Sequence, residues 1–372
     1  MKIAFVKFKH VPHGGGEGYL ARLMAACSER GHEPHLITTA WPEDAASAFQ
    51  VHALGAITVT RGARFSSFSK RVADFVTANP FDVVMSLDRT EKQDVWRAGE
   101  GVHQVWLDRR RTFESPLRSA LNWISPAQRT LLRLELACVT NTRVIIANSK
   151  MVAEDIRAYY PAWNGRLEII HNGIDLVRFS TANRTANRAR VRAGWRLSPD
   201  VPVTLFVGSG FHRKGLRELM EAVSGVPDMQ LVVIGRDRAE PWKCIARRMD
   251  MEERTHFVEP TDDIVACYHA ADIVALPTWF DSFGFVGLEA MACGTPLVAT
   301  RFAGVHELIV PGVNGSVAGR PDAIDELRVA LLDAAKIGRS VAPEAISASV
   351  ADFSLEQNVD RTLQVLTEVA QR

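Results

Sequence analysis

Two stretches of this sequence run through the same order of events: a short apolar run, a glycine-rich loop, then an amphipathic helical pattern. In the first, Ile3–Phe8 leads through His13–Gly18 into a helix with Leu20, Leu23, Met24 and Cys27 on one face, and Gly31 sits where that helix should stop. In the second, Val203–Val207 leads through Gly208–Gly215 into a helix starting near Gly215. His35–Thr39, Asp82–Leu87, Arg143–Ala147, Leu231–Ile234, Asp272–Leu276 and Leu297–Thr300 read as further strands with helices between them. Continuous apolar strands alternating with helices require a parallel sheet covered on both faces.

Two such openings predict an α/β chain of two facing Rossmann-like domains with a deep cleft between them. The boundaries expected are 1–170 and 171–353, with the linker at His171-Asn172-Gly173-Ile174-Asp175 and a helix-bearing loop over 180–200. A last helix over 354–372 starts with the capping-box pair Ser354 and Gln357 and lines up Val359, Leu363, Leu366 and Ala370. Its apolar face needs a surface, either the end of the second domain or a return to the first.

Composition supports two cores and excludes a disordered or collagen-like chain: 372 residues, 47% hydrophobic and 23% charged. The net charge of +1 hides an asymmetry. Residues 1–168 hold 22 Lys and Arg against 17 Asp and Glu, and the remainder holds 22 against 26. Cys27, Cys138, Cys244, Cys267 and Cys293 form no C-x-x-C pair, which reads as reduced, mostly buried thiols of a cytoplasmic protein rather than a zinc site. The charges of Lys2, Lys7 and Lys9 exclude a signal-peptide core at the start, and no later run has the length of a membrane span.

Three segments carry chemistry. The loop with Gly14, Gly15 and Gly16 lets backbone amides approach an anion at a helix start. Gly16-x-Gly18-x-x-Ala21 also fits a loose dinucleotide fingerprint, but Ile37-Thr38-Thr39 replaces the acid that would hold a ribose. The loop from Gly208 to Gly215 presents Arg213 and Lys214 to whatever binds at the next helix, as a diphosphate would, and lacks the P-loop pattern. The third segment runs from Trp279 to Pro296. Asp281 or Ser282 should cap a helix that Gly294 ends, leaving amides from Ser282 through Phe283 and Gly284 to Phe285 free. On one helix, Asp281 and Glu289 would stand about 10–12 Å apart along the axis. Plain structural roles remain open for each: a tight turn, a solvated basic turn, and an N-cap with a surface glutamate.

Together these segments resemble the retaining nucleotide-sugar glycosyltransferases of family 4, with the GT-B fold. The likeness is carried, in order along most of the chain, by Gly14–Glu17, Arg30-Gly31-His32-Glu33, Asn172-Gly173-Ile174-Asp175, Arg213-Lys214-Gly215 and the Asp281–Pro296 block. It extends to the enzymes that add glucose to the bacterial lipopolysaccharide core. The family usually has Glu at the position of Asp281, so this carboxylate stops about 1–1.5 Å short on an unchanged backbone.

The resemblance implies a first domain that binds the acceptor and a second that binds the donor. It implies transfer of a hexose, expected to be glucose, from a nucleoside diphosphate, expected to be UDP, to a lipopolysaccharide-core or other glycolipid or glycan acceptor. Arg213 and Lys214 would hold the diphosphate, Gly15, Gly16 and Gly208 would admit it, Glu289 would meet the ribose, and Asp281 the donor sugar. His103, in Gly99-Glu100-Gly101-Val102-His103, is either a sugar contact or a satisfied structural histidine. No cofactor beyond the donor substrate and no metal is expected, and nucleic acid is not an expected partner. Residues 109–133 hold Arg109, Arg110, Arg111, Arg118, Arg129 and Arg133 against Glu114, with Leu117, Leu121, Trp123 and Ile124. That pattern fits contact with an anionic membrane, on the inner face of the cytoplasmic membrane, or a solvated basic face. An epimerase, an NAD-dependent oxidoreductase and a non-catalytic sugar-nucleotide-binding module remain as alternatives on the same scaffold.

Overall fold

The computed structural model describes residues 1–9, 15–41, 49–57, 59–115 and 125–371. His13 and Gly14 of the first glycine run, and Leu117, Arg118, Leu121, Trp123 and Ile124 of the basic stretch, lie outside the described residues. Two compact units divide the chain: Met1–His171 with Leu355–Arg372, and Asn172–Ser354.

The first unit is built on a parallel seven-stranded sheet: β1 (Lys2–Val6), β2 (Glu33–Thr38), β3 (Gln50–Ala53), β4 (Val83–Ser86), β5 (Val95–Ala98), β6 (Val144–Ala147) and β7 (Arg166–Ile169), in the order β3-β2-β1-β4-β5-β6-β7. Alternation along β1 sends Ile3 and Phe5 to one face and Ala4 and Val6 to the other. The first face is covered by Leu20, Leu23 and Met24 of α1 (Gly15–Glu29). On the opposite face lie Phe68 and Val72 of α2 (Arg61–Ala78). Among the described residues, the remaining early helices are α3 (His103–Phe113), α4 (Pro126–Asn141) and α5 (Lys150–Tyr159), the last capped by the Ser149 hydroxyl accepting from Val152 N at 3.1 Å.

The second unit carries a parallel six-stranded sheet: β8 (Val203–Val207), β9 (Gln230–Ile234), β10 (Thr255–Val258), β11 (Ile273–Leu276), β12 (Leu297–Thr300) and β13 (Gly315–Ala318), in the order β10-β9-β8-β11-β12-β13. Its helices are α6 (Arg184–Gly194), α7 (Leu216–Ser224), α8 (Glu240–Arg248), α9 (Ile264–Ala270), α10 (Phe285–Ala292), α11 (Ile324–Ser340) and α12 (Pro343–Ala348). Strand order reverses between β8 and β11, so the loops leaving these two strands emerge side by side at one edge.

The last helix, α13 (Leu355–Ala370), buries Val359, Leu363, Val365, Leu366 and Val369 in the core that holds Ile3 and Phe5. Tyr19 and Thr362 share a buried hydrogen bond at 3.1 Å.

Among the described residues, no helix is long and apolar enough to cross a membrane. Cys27, Cys138, Cys267 and Cys293 are buried and Cys244 is exposed, all as free thiols. Burial pushes each of the four buried thiols up to about 12.

Candidate functional site

The second unit gathers Gly208, Arg213, Lys214, Asp281 and Glu289 at the point where its strand order reverses. Gly208 follows β8 directly and has φ +133°, and a Cβ there would meet Lys214 Nζ at 2.5 Å. The lysine side chain therefore lies folded against the glycine backbone, which only a residue without a side chain permits.

The loop after β11 locks onto the loop after β8. Trp279 N donates to Arg213 O at 2.9 Å and the Thr278 hydroxyl donates to the same carbonyl at 3.2 Å. Arg213 Nη1 in turn donates to Phe280 O at 2.7 Å. These bonds set Lys214 Nζ 3.8 Å and Arg213 Nη1 4.0 Å from Asp281 Oδ2. Burial pulls the Lys214 ammonium below the ordinary lysine value, and Asp281 opposes that pull.

Asp281 is held by its backbone as well as its charge. Its N–H donates to Phe302 O at 2.9 Å and its carbonyl accepts from Gly304 N at 3.1 Å. It does not cap the helix, which corrects the expectation from sequence. α10 begins at Phe285, behind Gly284 in the left-handed region (φ 94°), without a side-chain cap. A Cβ on Gly284 would meet Leu276 Cδ2 at 2.6 Å, so this turn needs glycine on both counts. Asp281 thus lies outside the helix, and the axial spacing of Asp281 and Glu289 does not apply.

The run of free amides is corrected too. Phe283 N donates to Asp281 Oδ1 at 3.3 Å, Phe283 O accepts from Val305 N at 2.6 Å, and the Phe283 ring is buried in the core. Phe283 anchors the turn rather than presenting its amide, while Ser282 and Gly284 sit on either side of it.

Glu289 lies on α10 and accepts from the Tyr268 hydroxyl of α9 at 2.6 Å. Burial pushes its carboxyl up; the tyrosine bond, then Arg178 and Lys214, oppose that. A half-buried carboxylate with one hydroxyl partner has acceptor capacity left for further hydroxyl donors.

Asp237 was not legible as a site residue. Its carboxylate accepts from Gly210 N at 2.8 Å and Phe211 N at 2.9 Å, so these loop amides serve the loop after β9 rather than an anion. Beside it, past β9 and β10, opens a cavity of about 400 Å³ lined by Phe211, Arg236, Arg238, Phe257 and Glu259 among others.

In the first unit, Gly15 and Gly16 form the first turn of α1 rather than a loop ahead of it. An N-terminal turn still leaves backbone N–H groups without intrahelical partners. His103 opens α3, with its Nε2 at 2.7 Å from Gln128 Oε1. Burial, followed by the Arg89 charge, holds its imidazole below the ordinary histidine value.

The basic stretch is more neutralised than its composition suggested. Arg110 pairs with Glu114 at 2.7 Å and Arg111 with Asp108 at 3.5 Å. Asp108 falls just outside the stretch counted in the sequence, and Arg109 acts on Asp155 of α5. Among the described residues, no group of three His, Cys, Asp or Glu side chains could hold a metal ion.

Two parallel-sheet α/β units, the second carrying cations and acids at its switch point, define a glycosyltransferase with the GT-B fold. Residues 13–178 match the family described as Glycosyltransferase Family 4, and residues 187–340 the family described as Glycosyl transferases group 1. The chain thus carries a family 4 glycosyltransferase domain followed by a group 1 glycosyl transferase domain. It is 24% identical over 336 residues to the lipopolysaccharide glucosyltransferase WaaG of Escherichia coli K12, covering 89% of this chain and 88% of that one. The crystal structure of WaaG, a glycosyltransferase involved in lipopolysaccharide biosynthesis, superposes with a TM-score of 0.79 at 21% identity, over 98% of this chain and 99% of that one. HepE from Anabaena, in complex with UDP-glucose, superposes with a TM-score of 0.69 at 19% identity, over 99% of this chain and all (100%) of that one.

Proposed function

We propose that this chain is a retaining hexosyltransferase that moves glucose from UDP-glucose to a lipopolysaccharide-core or related glycolipid acceptor without a metal. The observation that carries the reading is the convergence of Lys214 and Arg213 on Asp281 at the switch point, with half-buried Glu289 on the helix that follows. The likeness to WaaG supports the glucose and the acceptor class, and the UDP-glucose held by HepE supports the donor.

In this reading Arg213 and Lys214 hold the diphosphate and stabilise charge as it grows on the leaving phosphate. Glu289 accepts from the ribose hydroxyls and Asp281 from the sugar hydroxyls. The cavity past β9 and β10 seats the base. The bond from the anomeric carbon to the β-phosphate oxygen breaks, and the acceptor oxygen bonds that carbon on the same face. The acceptor's proton passes to the departing phosphate. To the first unit we assign the acceptor, with Gly15 and Gly16 assigned to the phosphates and His103 to the transferred sugar. The stretch 109–133 is the part that touches an anionic membrane, on the cytoplasmic face.

Thermal-shift screening against UDP-, GDP- and ADP-sugars tests the donor, followed by mass analysis of products on glycolipid acceptors. A UDP-glucose shift with an acceptor heavier by one hexose supports the reading. Donor turnover to an epimer without acceptor, or binding without turnover, overturns it.

A further inference from the structure

We propose that Glu135 is a positioning residue for sugar transfer: a buried carboxylate on α4 that clamps the strand-to-helix turn carrying His103. Glu135 is fully buried, at 0% exposure. It accepts from Arg89 Nε at 2.7 Å, from His103 backbone N at 2.6 Å and from the Tyr160 hydroxyl at 2.7 Å. α3 has no side-chain cap of its own at Val102, so a carboxylate from another helix does that work.

Arg89, just past β4, completes the clamp by donating from Nη2 to Gly101 O at 2.8 Å and from Nη1 to Glu100 Oε2 at 2.9 Å. The same face of α4 presents Gln128 to the His103 ring. One helix therefore fixes the histidine at both its backbone and its imidazole.

A buried ion pair is a poor way to gain stability, because removing charges from water offsets most of their attraction. Its worth here is geometric, since it ties the turn between β5 and α3 to α4 and to the segment after β4. The proposal rests on the reading that His103 meets the transferred sugar. Three charged groups face that imidazole: Arg89 past β4, Glu100 on the turn and Glu135 on α4.

The test is Glu135→Gln in the full chain. We expect unchanged circular dichroism and UDP-induced thermal shift, kcat lowered at least tenfold, and donor KM kept within about twofold. Loss of the Glu135 charge, which raises the His103 value, should also move the acid limb of kcat and the His103 NMR titration to lower pH. A folded variant with wild-type kcat and an unmoved His103 titration overturns the proposal. If E135Q does not fold, Tyr160→Phe removes one of the three donors, and an unchanged kcat there overturns it equally. A wild-type chain that transfers no sugar would sink the functional reading instead, while the His103 titration still reads the clamp.

Discussion

Lys214 Nζ stands 3.8 Å from Asp281 Oδ2, although a long span of sequence separates the two residues. They meet because β8 and β11 are hydrogen-bonded neighbours, so the loops that follow leave the sheet together. Removing one preorganised charge from such a site costs roughly 100- to 1000-fold in kcat. Lys214→Ala should therefore lower kcat at least 100-fold with circular dichroism unchanged. Near-wild-type turnover would remove Lys214 from the diphosphate site.

Gly208→Ala tests the same lysine from beneath. The new methyl would occupy the place of the Lys214 side chain, at a backbone conformation that alanine resists. Such strain costs about 1–3 kcal/mol. A fall in melting temperature of roughly 2–4 °C per kcal/mol, together with weakened UDP binding in calorimetry, is expected. Unchanged UDP affinity would show that the ammonium has another route to its position.

The pH dependence of UDP affinity should be narrower than free side chains would give. Glu289 must be ionised, and burial raises its pKa above the ordinary glutamate value, so the acid limb lies above that value. Lys214 must be protonated, and burial lowers its pKa, so the alkaline limb lies below the ordinary lysine value. Tyr268→Phe removes the bond that favours ionised Glu289, so its acid limb should move further up in calorimetric titrations. An acid limb that stays in place would detach Glu289 from the ribose.

Asp155 offers a stability test away from the site. Its buried Oδ2 has no hydrogen-bond partner among the described residues, and burial pushes its pKa to about 6. A folded value above the unfolded one means the native state binds more protons, so stability falls as pH rises through that window. Asp155→Asn should raise the melting temperature at about pH 7.5 and lose that advantage near pH 4. A lower melting temperature at the higher pH would point to an unseen partner for the carboxylate.

Membrane contact through 109–133 makes its own prediction. Sedimentation with anionic vesicles should carry the protein down and fade with salt. Replacing Arg109, Arg110 and Arg111 by Gln should weaken it. Because Arg110 and Arg111 are engaged by Glu114 and Asp108, the loss should be smaller than three free charges would cause. Unchanged partitioning would end this part of the reading.

Much of the fold was legible in the residues because buried parallel strands are continuous apolar runs. Val203–Val207 and Leu297–Thr300 have the expected bounds. The strands that escaped notice lack that signature. β3 and β7 are half-exposed edge strands with polar residues, and β10 is a half-exposed edge strand of the second sheet. At the site, Arg213, Lys214, Asp281 and Glu289 declared themselves by type and order. What they touch did not, because cross-loop partners such as Asp237 and Tyr268 follow from strand order, which periodicity does not reveal. The misplaced start of α10 has a local cause: a left-handed Gly284 delays the helix past two residues that make good caps elsewhere.

Helix α13 belongs to the core begun by β1 and α1, while all of Asn172–Ser354 intervenes in sequence. On the ribosome, the earlier unit must therefore wait with a hydrophobic strip uncovered until the later unit has been synthesised. A premature stop that spares every residue of the later unit would still leave the earlier one unfinished.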